Sequence, residues 1–134
     1  MPDNHMIFDQ GFKNVSEKGQ ITCFQVKVQN MNYRGVPLSI VHGIEVTVDR
    51  EVFKDDQIQS FTVRGHTYTL AEMEKMGDEK TRWPWLEPAT VTVRKPGGLK
   101  QGVHSVKVRL GIRVSYMEVV PTVYTGTRSL TIVQ

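Results

Sequence analysis

The sequence predicts an all-β fold, an antiparallel β-sandwich or open barrel with one short helix, and three observations carry that prediction. The first is a long alternation in which Val106, Val108, Leu110, Ile112, Val114 and Tyr116 interleave with Lys107, Arg109, Gly111, Arg113 and Ser115. Apolar residues at a period of two, with cations between them, mark a strand buried on one face only, as in an antiparallel sheet. The second is that shorter runs of the same kind recur, separated by Gly, Pro, Asn and Asp, as sandwiches and barrels require. The third is that a single segment carries helix signals. The 134 residues read as one domain, 1–134, long enough to bury a core without a disulfide or metal staple.

Taken in order, Met6-Ile7-Phe8 and Phe12-Lys13-Asn14-Val15 each fit a short strand, with fraying expected before them. Glu17-Lys18-Gly19-Gln20 fits a hairpin turn. In 21–29, Phe24, Val26 and Val28 alternate with Gln25, Lys27 and Gln29, a clear strand. Asn, Gly and Pro in 30–38 break the alternation and give a structured loop. Ile44, Val46 and Val48 restart it, and Asp49-Arg50-Glu51 turns the chain. Phe61 to Tyr68 is one bent strand or a tight hairpin through Arg64-Gly65. Residues 70–76 form the helix: Thr69-Leu70-Ala71-Glu72 has capping-box spacing, and Gly77 is placed to end it. Two turns at most, it depends on packing through Leu70, Met73 and Met76. Val91 and Val93 mark another strand, which Lys95-Pro96-Gly97-Gly98 is expected to reverse into the long strand as a wide hairpin. Residues 117–128 look irregular, and Leu130 and Ile132 offer a last short strand.

The 17 basic and 14 acidic residues leave a net charge of +3, scattered and without interleaved stacking residues, which argues against nucleic acid. No apolar run exceeds three residues, so neither a secretory leader nor a membrane helix is expected. The lone Cys23 has no internal disulfide partner and reads as a small buried hydrophobe. A reducing cytoplasm fits.

Catalytic chemistry is hard to assemble from this chain. His5, His42, His66 and His104 lack ligand spacing, although a sandwich can gather distant histidines, as jelly-roll metal enzymes do. Asp55-Asp56 sits in a polar turn, and Glu72, Glu74 and Glu79 lie on or beside a short amphipathic helix. Lys95-Pro96-Gly97-Gly98 lacks the following helix of a phosphate loop. No catalytic, cofactor or metal residue is therefore assigned.

Two loops resist a purely structural reading. Tyr33-Arg34, followed by Pro37, and Trp83-Pro84-Trp85 place the residue types favoured at interface hot spots on segments that strands do not need. Tyr33, Arg34, Pro37, Trp83 and Trp85 are the candidate partner-interface residues, with core burial the alternative for the tryptophans.

Tyr33-Arg34-Gly35-Val36-Pro37-Leu38-Ser39, Phe61-Thr62-Val63-Arg64-Gly65 with Tyr68-Thr69-Leu70-Ala71-Glu72-Met73, Lys95-Pro96-Gly97-Gly98-Leu99 and Arg113-Val114-Ser115-Tyr116 together resemble the small β subunit of bacterial C-glycoside deglycosidases. The four blocks keep their order over about residues 12–116. The resemblance implies a two-protein lyase that cleaves the carbon–carbon bond between a 3-oxo-glucosyl unit and an aromatic, flavonoid-type aglycone. It also implies a sugar-isomerase-like TIM-barrel α subunit holding a divalent metal, usually manganese, within a higher hetero-oligomer. The β subunit would then be a supporting sandwich, inactive alone. A stand-alone small-molecule-binding sandwich and a jelly-roll metal enzyme are the alternatives; co-purification of a barrel partner separates the first, and metal analysis the second.

Overall fold

The structure is a computed structural model that describes residues 6–8, 10–30, 36–37, 41–74, 82–84, 87–112 and 122–132. Its strands are β1 (Lys13–Glu17), β2 (Gln20–Gln29), β3 (Val36–Pro37), β4 (Val41–Val48), β5 (Glu51–Lys54), β6 (Ile58–Val63), β7 (His66–Tyr68), β8 (Arg82–Trp83), β9 (Pro88–Arg94), β10 (Gly102–Ile112) and β11 (Thr122–Ile132), with one helix, α1 (Leu70–Glu74). A five-stranded sheet in the order β1-β2-β9-β6-β7 faces a four-stranded sheet in the order β11-β10-β4-β5, every pairing antiparallel. This is a β-sandwich, not a closed barrel.

The alternation selects the inner faces. Phe24, Val26, Val28, Phe61, Val91 and Val93 from one sheet meet Ile44, Val46, Phe53, Val106, Val108 and Leu110 from the other in a single core. Between them on β10, Lys107 and Arg109 stay exposed. Edge-on aromatic packing joins the sheets, with the Phe24 and Phe53 rings 5.2 Å apart, the offset geometry that ring quadrupoles favour.

The short hairpins follow their turn chemistry. Lys18-Gly19, Asp49-Arg50 and Arg64-Gly65 all lie at positive φ and close the pairs Glu17↔Gln20, Val48↔Glu51 and Val63↔His66. Two left-handed central residues match the right-handed twist of the strands they join. Phe61 to Tyr68 is thus the tight hairpin. The capping box forms reciprocally: the Glu72 carboxylate accepts from Thr69 N–H at 2.8 Å, and Glu72 N–H donates to the Thr69 hydroxyl at 3.1 Å. Met73 is the helix's buried anchor, while Met76 and Gly77 lie outside the described residues. The N-terminal segment is pinned as well, because Ile7 bridges Val28 and Phe8 N–H donates to Lys27 O at 2.9 Å.

Two expectations are corrected. β9 and β10 are not a hairpin: β9 lies between β2 and β6, and β10 lies between β4 and β11. With both edges of β9 occupied, residues 95–101 carry the chain across to the other sheet. Lys95 N–H donates to Thr22 O at 3.0 Å and Gly97 N–H to Ile21 O at 2.8 Å. The Asn14 amide then brackets Leu99, donating to its carbonyl and accepting from its N–H, both at 2.8 Å. Gly98 is needed at this corner, since at φ 66° an added Cβ would stand 2.5 Å from both Asn14 Oδ1 and Ile21 Cγ2.

The last strand is also longer than expected, beginning at Thr122 rather than near Leu130. Among its described side chains the inward positions include Gly126 and Arg128 and the outward ones are Thr and Ser, so no apolar alternation marks it. Arg128 is accommodated by donating from Nη1 to Ile7 O at 3.0 Å.

Candidate functional site

The strand directions gather the suspected interface segments at one end of the sandwich. Lys95, just past β9, meets Glu51 at the start of β5, with Nζ 3.3 Å from Oε1, so β9 and β4 finish together. The antiparallel ladders then put the ends of β2, β6 and β10 and the starts of β4, β9 and β11 at the opposite end. At that end lie Asn30, Glu87, Ile112 and Thr122, described residues that flank the candidate segments.

Trp83 organises it. Its side chain is 0% exposed, and its ring stands edge-on to Phe61, centroids 5.0 Å apart and planes at 78°. The indole N–H donates to Glu87 O at 2.7 Å. The Trp83 carbonyl accepts from the side-chain amide of Asn30, itself fully buried, at 2.6 Å. Through β3, Val36 pairs with Trp83 and Pro37 with Arg82. The two loops singled out separately in the sequence are therefore joined by one short ladder and one buried amide.

This geometry sorts the candidates. Trp83 is a core residue, so the interface expectation for its side chain gives way to the alternative: a flat indole with one donor is best satisfied inside, with that donor paired. Pro37 is located through its backbone pairing. Tyr33, Arg34 and Trp85 lie outside the described residues. Asn30 falls in the Asn, Gly and Pro break after β2, and a polar residue just after an apolar strand is its only sequence signal.

The opposite end carries a polar cluster that spacing did not reveal. His104 Nδ1 lies 2.5 Å from Asp49 Oδ2, and Nε2 lies 2.7 Å from Lys100 O. Ser105 N–H donates to Asp49 Oδ1 at 2.9 Å, and Asp49 N–H donates to Ser105 O at 2.9 Å. Burial pushes the His104 imidazolium down, but the Lys100 carbonyl and the Asp49 carboxylate outweigh it and raise its pKa above the ordinary value. Asp49 is held below the usual carboxylate range by His104 first and Ser105 N–H second, against a smaller opposing effect of burial. With acceptors at both ring nitrogens, the clamp ties the β4–β5 turn and the crossover to the start of β10.

The sign of its pH dependence follows from those directions. The histidine contribution is fully present below the ordinary pKa of 6.5 and fades as pH rises through the raised folded value. The aspartate contribution is present above 3.8 and fades as pH falls through the lowered one. His104→Gln should therefore lower the melting temperature most near pH 5, with the deficit shrinking toward pH 9. A deficit that is constant or grows with pH would show that no charged clamp forms.

Among the described residues no group of three His, Cys, Asp or Glu side chains could hold a metal ion. Both His104 nitrogens are engaged, and Cys23 is buried with its thiol donating to Gln59 Oε1 at 3.2 Å. No described helix is long and apolar enough to cross a membrane.

Comparison with known proteins adds the family. Residues 2–116 match the model of the C-glycoside deglycosidase beta subunit family. A C-glycoside deglycosidase beta subunit from Eubacterium cellulosolvens is 40% identical over 116 residues, covering 86% of this chain and 77% of that protein. A 3'-dehydrocarminate deglycosidase beta subunit from a Microbacterium species is 33% identical over 88 residues, 65% of this chain and 63% of that protein. Among solved structures, a CARDB domain from Pyrococcus furiosus aligns over 94% of this chain and 87% of its own with a TM-score of 0.37 and 12% identity, too distant to carry an argument.

Proposed function

The chain belongs to the C-glycoside deglycosidase β-subunit family, and from that premise we propose that it is the supporting β subunit of a heteromeric lyase. The complex cleaves the carbon–carbon bond between a 3-oxo-glucosyl unit and an aromatic, flavonoid-type aglycone. The α subunit is a cytoplasmic sugar-isomerase-like TIM barrel that holds a divalent metal, usually manganese. In that chemistry the 3-keto group acidifies the adjacent C–H, a base takes the proton, the freed electron pair forms a double bond to the anomeric carbon as the bond from that carbon to the aglycone breaks, and an acid protonates the departing aglycone carbon. The described residues of this chain offer no metal-ligand set.

The observation that carries the proposal is the family match across 2–116. The joining of the Tyr33 and Trp83 loops by β3 and β8 supports a composite docking surface at the Trp83 end. A paired, proline-containing base limits the entropy lost on docking. On this reading Trp83 and Asn30 position the loops from inside, while Tyr33, Arg34 and Trp85 meet the barrel. Tyr33→Ala and Arg34→Ala should each weaken association with the barrel subunit by about 2 kcal/mol without lowering the melting temperature of the chain itself. Titration of the two purified subunits, followed by an assay of aglycone release from a 3-oxo-C-glucoside, checks both parts. Wild-type affinity in both variants would remove the surface. Full lyase activity of the barrel alone, unchanged by this chain, would remove the supporting role.

A further inference from the structure

Four edges bound the two large sheets, and three are managed. β7 is 3 residues long and β5 is 4, while β1 breaks register between Val15 and Ser16. β11 differs. Its 11 residues run in unbroken register with β10, from Gly102↔Ile132 to Ile112↔Thr122, and no described strand pairs with its other side. Thr125, Thr127, Ser129 and Thr131 alternate on its outer face, and its one charged residue, Arg128, reaches to the Ile7 carbonyl. Natural edges are blunted by shortness, Lys, Pro or bulges. Along its described length β11 carries no Lys, Pro or bulge; its single charge, Arg128, lies at an inward position and donates to the Ile7 carbonyl, and its main chain offers a template for strand addition.

We propose that β11 receives β11 of a second copy, antiparallel about a two-fold axis through Thr127, joining two four-stranded sheets into one continuous sheet. The sequence is self-complementary in that register. On the core face Tyr124 meets Leu130 of the other copy, and Gly126 leaves room opposite Arg128. On the outer face Thr125 meets Ser129 and Thr127 meets itself. Thr127 is the midpoint of Thr122–Ile132, so this register alone overlaps the whole strand. Moving the axis to residue 128 sets Arg128 against Arg128, a like-charge pair directly opposed, and moving it to 129 sets Arg128 against Leu130. An isologous contact of this kind closes on itself as a dimer and covers the β11 edge of both copies. It runs along the side of the sandwich and does not rest on the functional reading above.

Sedimentation of the full chain at micromolar concentration tests it. Wild type should run at two-chain mass. Thr127→Lys and Thr127→Glu should each weaken the dimer at least several-fold, because like charges then face each other across the axis, and an equimolar mixture should restore it. Melting temperatures verify that the variants are folded. If either variant fails to fold, Thr125→Glu with Ser129→Lys in one chain sets opposite charges across the axis twice and should tighten the dimer. A single-chain wild type, a dimer indifferent to charge at Thr127, or a mixture that stays dissociated would overturn the proposal. It is equally overturned if wild type is single-chain and the Thr127 variants instead lose the barrel subunit, which would make that subunit's strand the occupant.

Discussion

Trp83→Ala should cost about 3–5 kcal/mol of folding stability, the largest single-residue effect expected in this chain. The ring is fully buried against Phe61, so truncation leaves a cavity as well as losing transfer free energy. It also leaves the part-buried Glu87 O without the indole donor now 2.7 Å away, a further loss on top of the cavity. The Asn30 bond survives in principle, because its acceptor is the Trp83 main chain. Trp83→Phe separates the contributions: it keeps most of the packing and loses the N–H, and should recover more than half of the deficit. Denaturant melts of both variants check this, and a cost below about 1 kcal/mol for Trp83→Ala would mean that the ring is not core.

Leu110→Ala should cost about 2–5 kcal/mol, while Arg109→Ala should stay within about 1 kcal/mol. Leu110 is 1% exposed at the centre of the four-stranded sheet, between Ile44 of β4 and Tyr124 of β11. Arg109 lies on the other face, where Nη1 is 3.4 Å from Glu45 Oε2 and both side chains are substantially solvated. Adjacent residues therefore report opposite faces of one strand. If their costs were reversed, the register of β10 would be wrong by one residue, which moves every side chain to the other face. Urea denaturation midpoints, with slopes compared to confirm the same unfolding reaction, decide between them.

These two residues mark what was legible in the sequence and what was not. The inward set on β10 follows from a period of two and holds at Val106, Val108 and Leu110. The turns at Lys18-Gly19 and Asp49-Arg50 and the Thr69–Glu72 box are local chemistry, readable within a few residues, and they form as expected, while of the two readings open for Phe61–Tyr68 the hairpin through Arg64-Gly65 is the one that forms. Alternation gives the face of a strand, however, and says nothing about its neighbours. That is why Val91 and Val106 look like one hairpin although their strands lie in opposite sheets. The crossover is held by Asn14, Ile21 and Thr22, which are remote in sequence.

The candidate site was legible as composition and not as geometry. Tyr-Arg and Trp-Pro-Trp stand out, but their joining through Val36↔Trp83 and Asn30 is a long-range pairing without a local signature. Whether a tryptophan faces the core or a partner depends on where Phe61 and Glu87 O stand. The His104 clamp is hidden for the same reason, its carboxylate arriving from a turn 55 positions earlier.

Hydrogen exchange of this chain, alone and bound to the barrel subunit, tests the docking account most directly. Slowed exchange on binding is expected in peptides covering 30–40, 84–87 and 113–121, with the turns at 18–19 and 49–50 and the crossover at 95–101 unchanged. Protection confined to those turns and the crossover would place the partner on the His104 end and contradict the account.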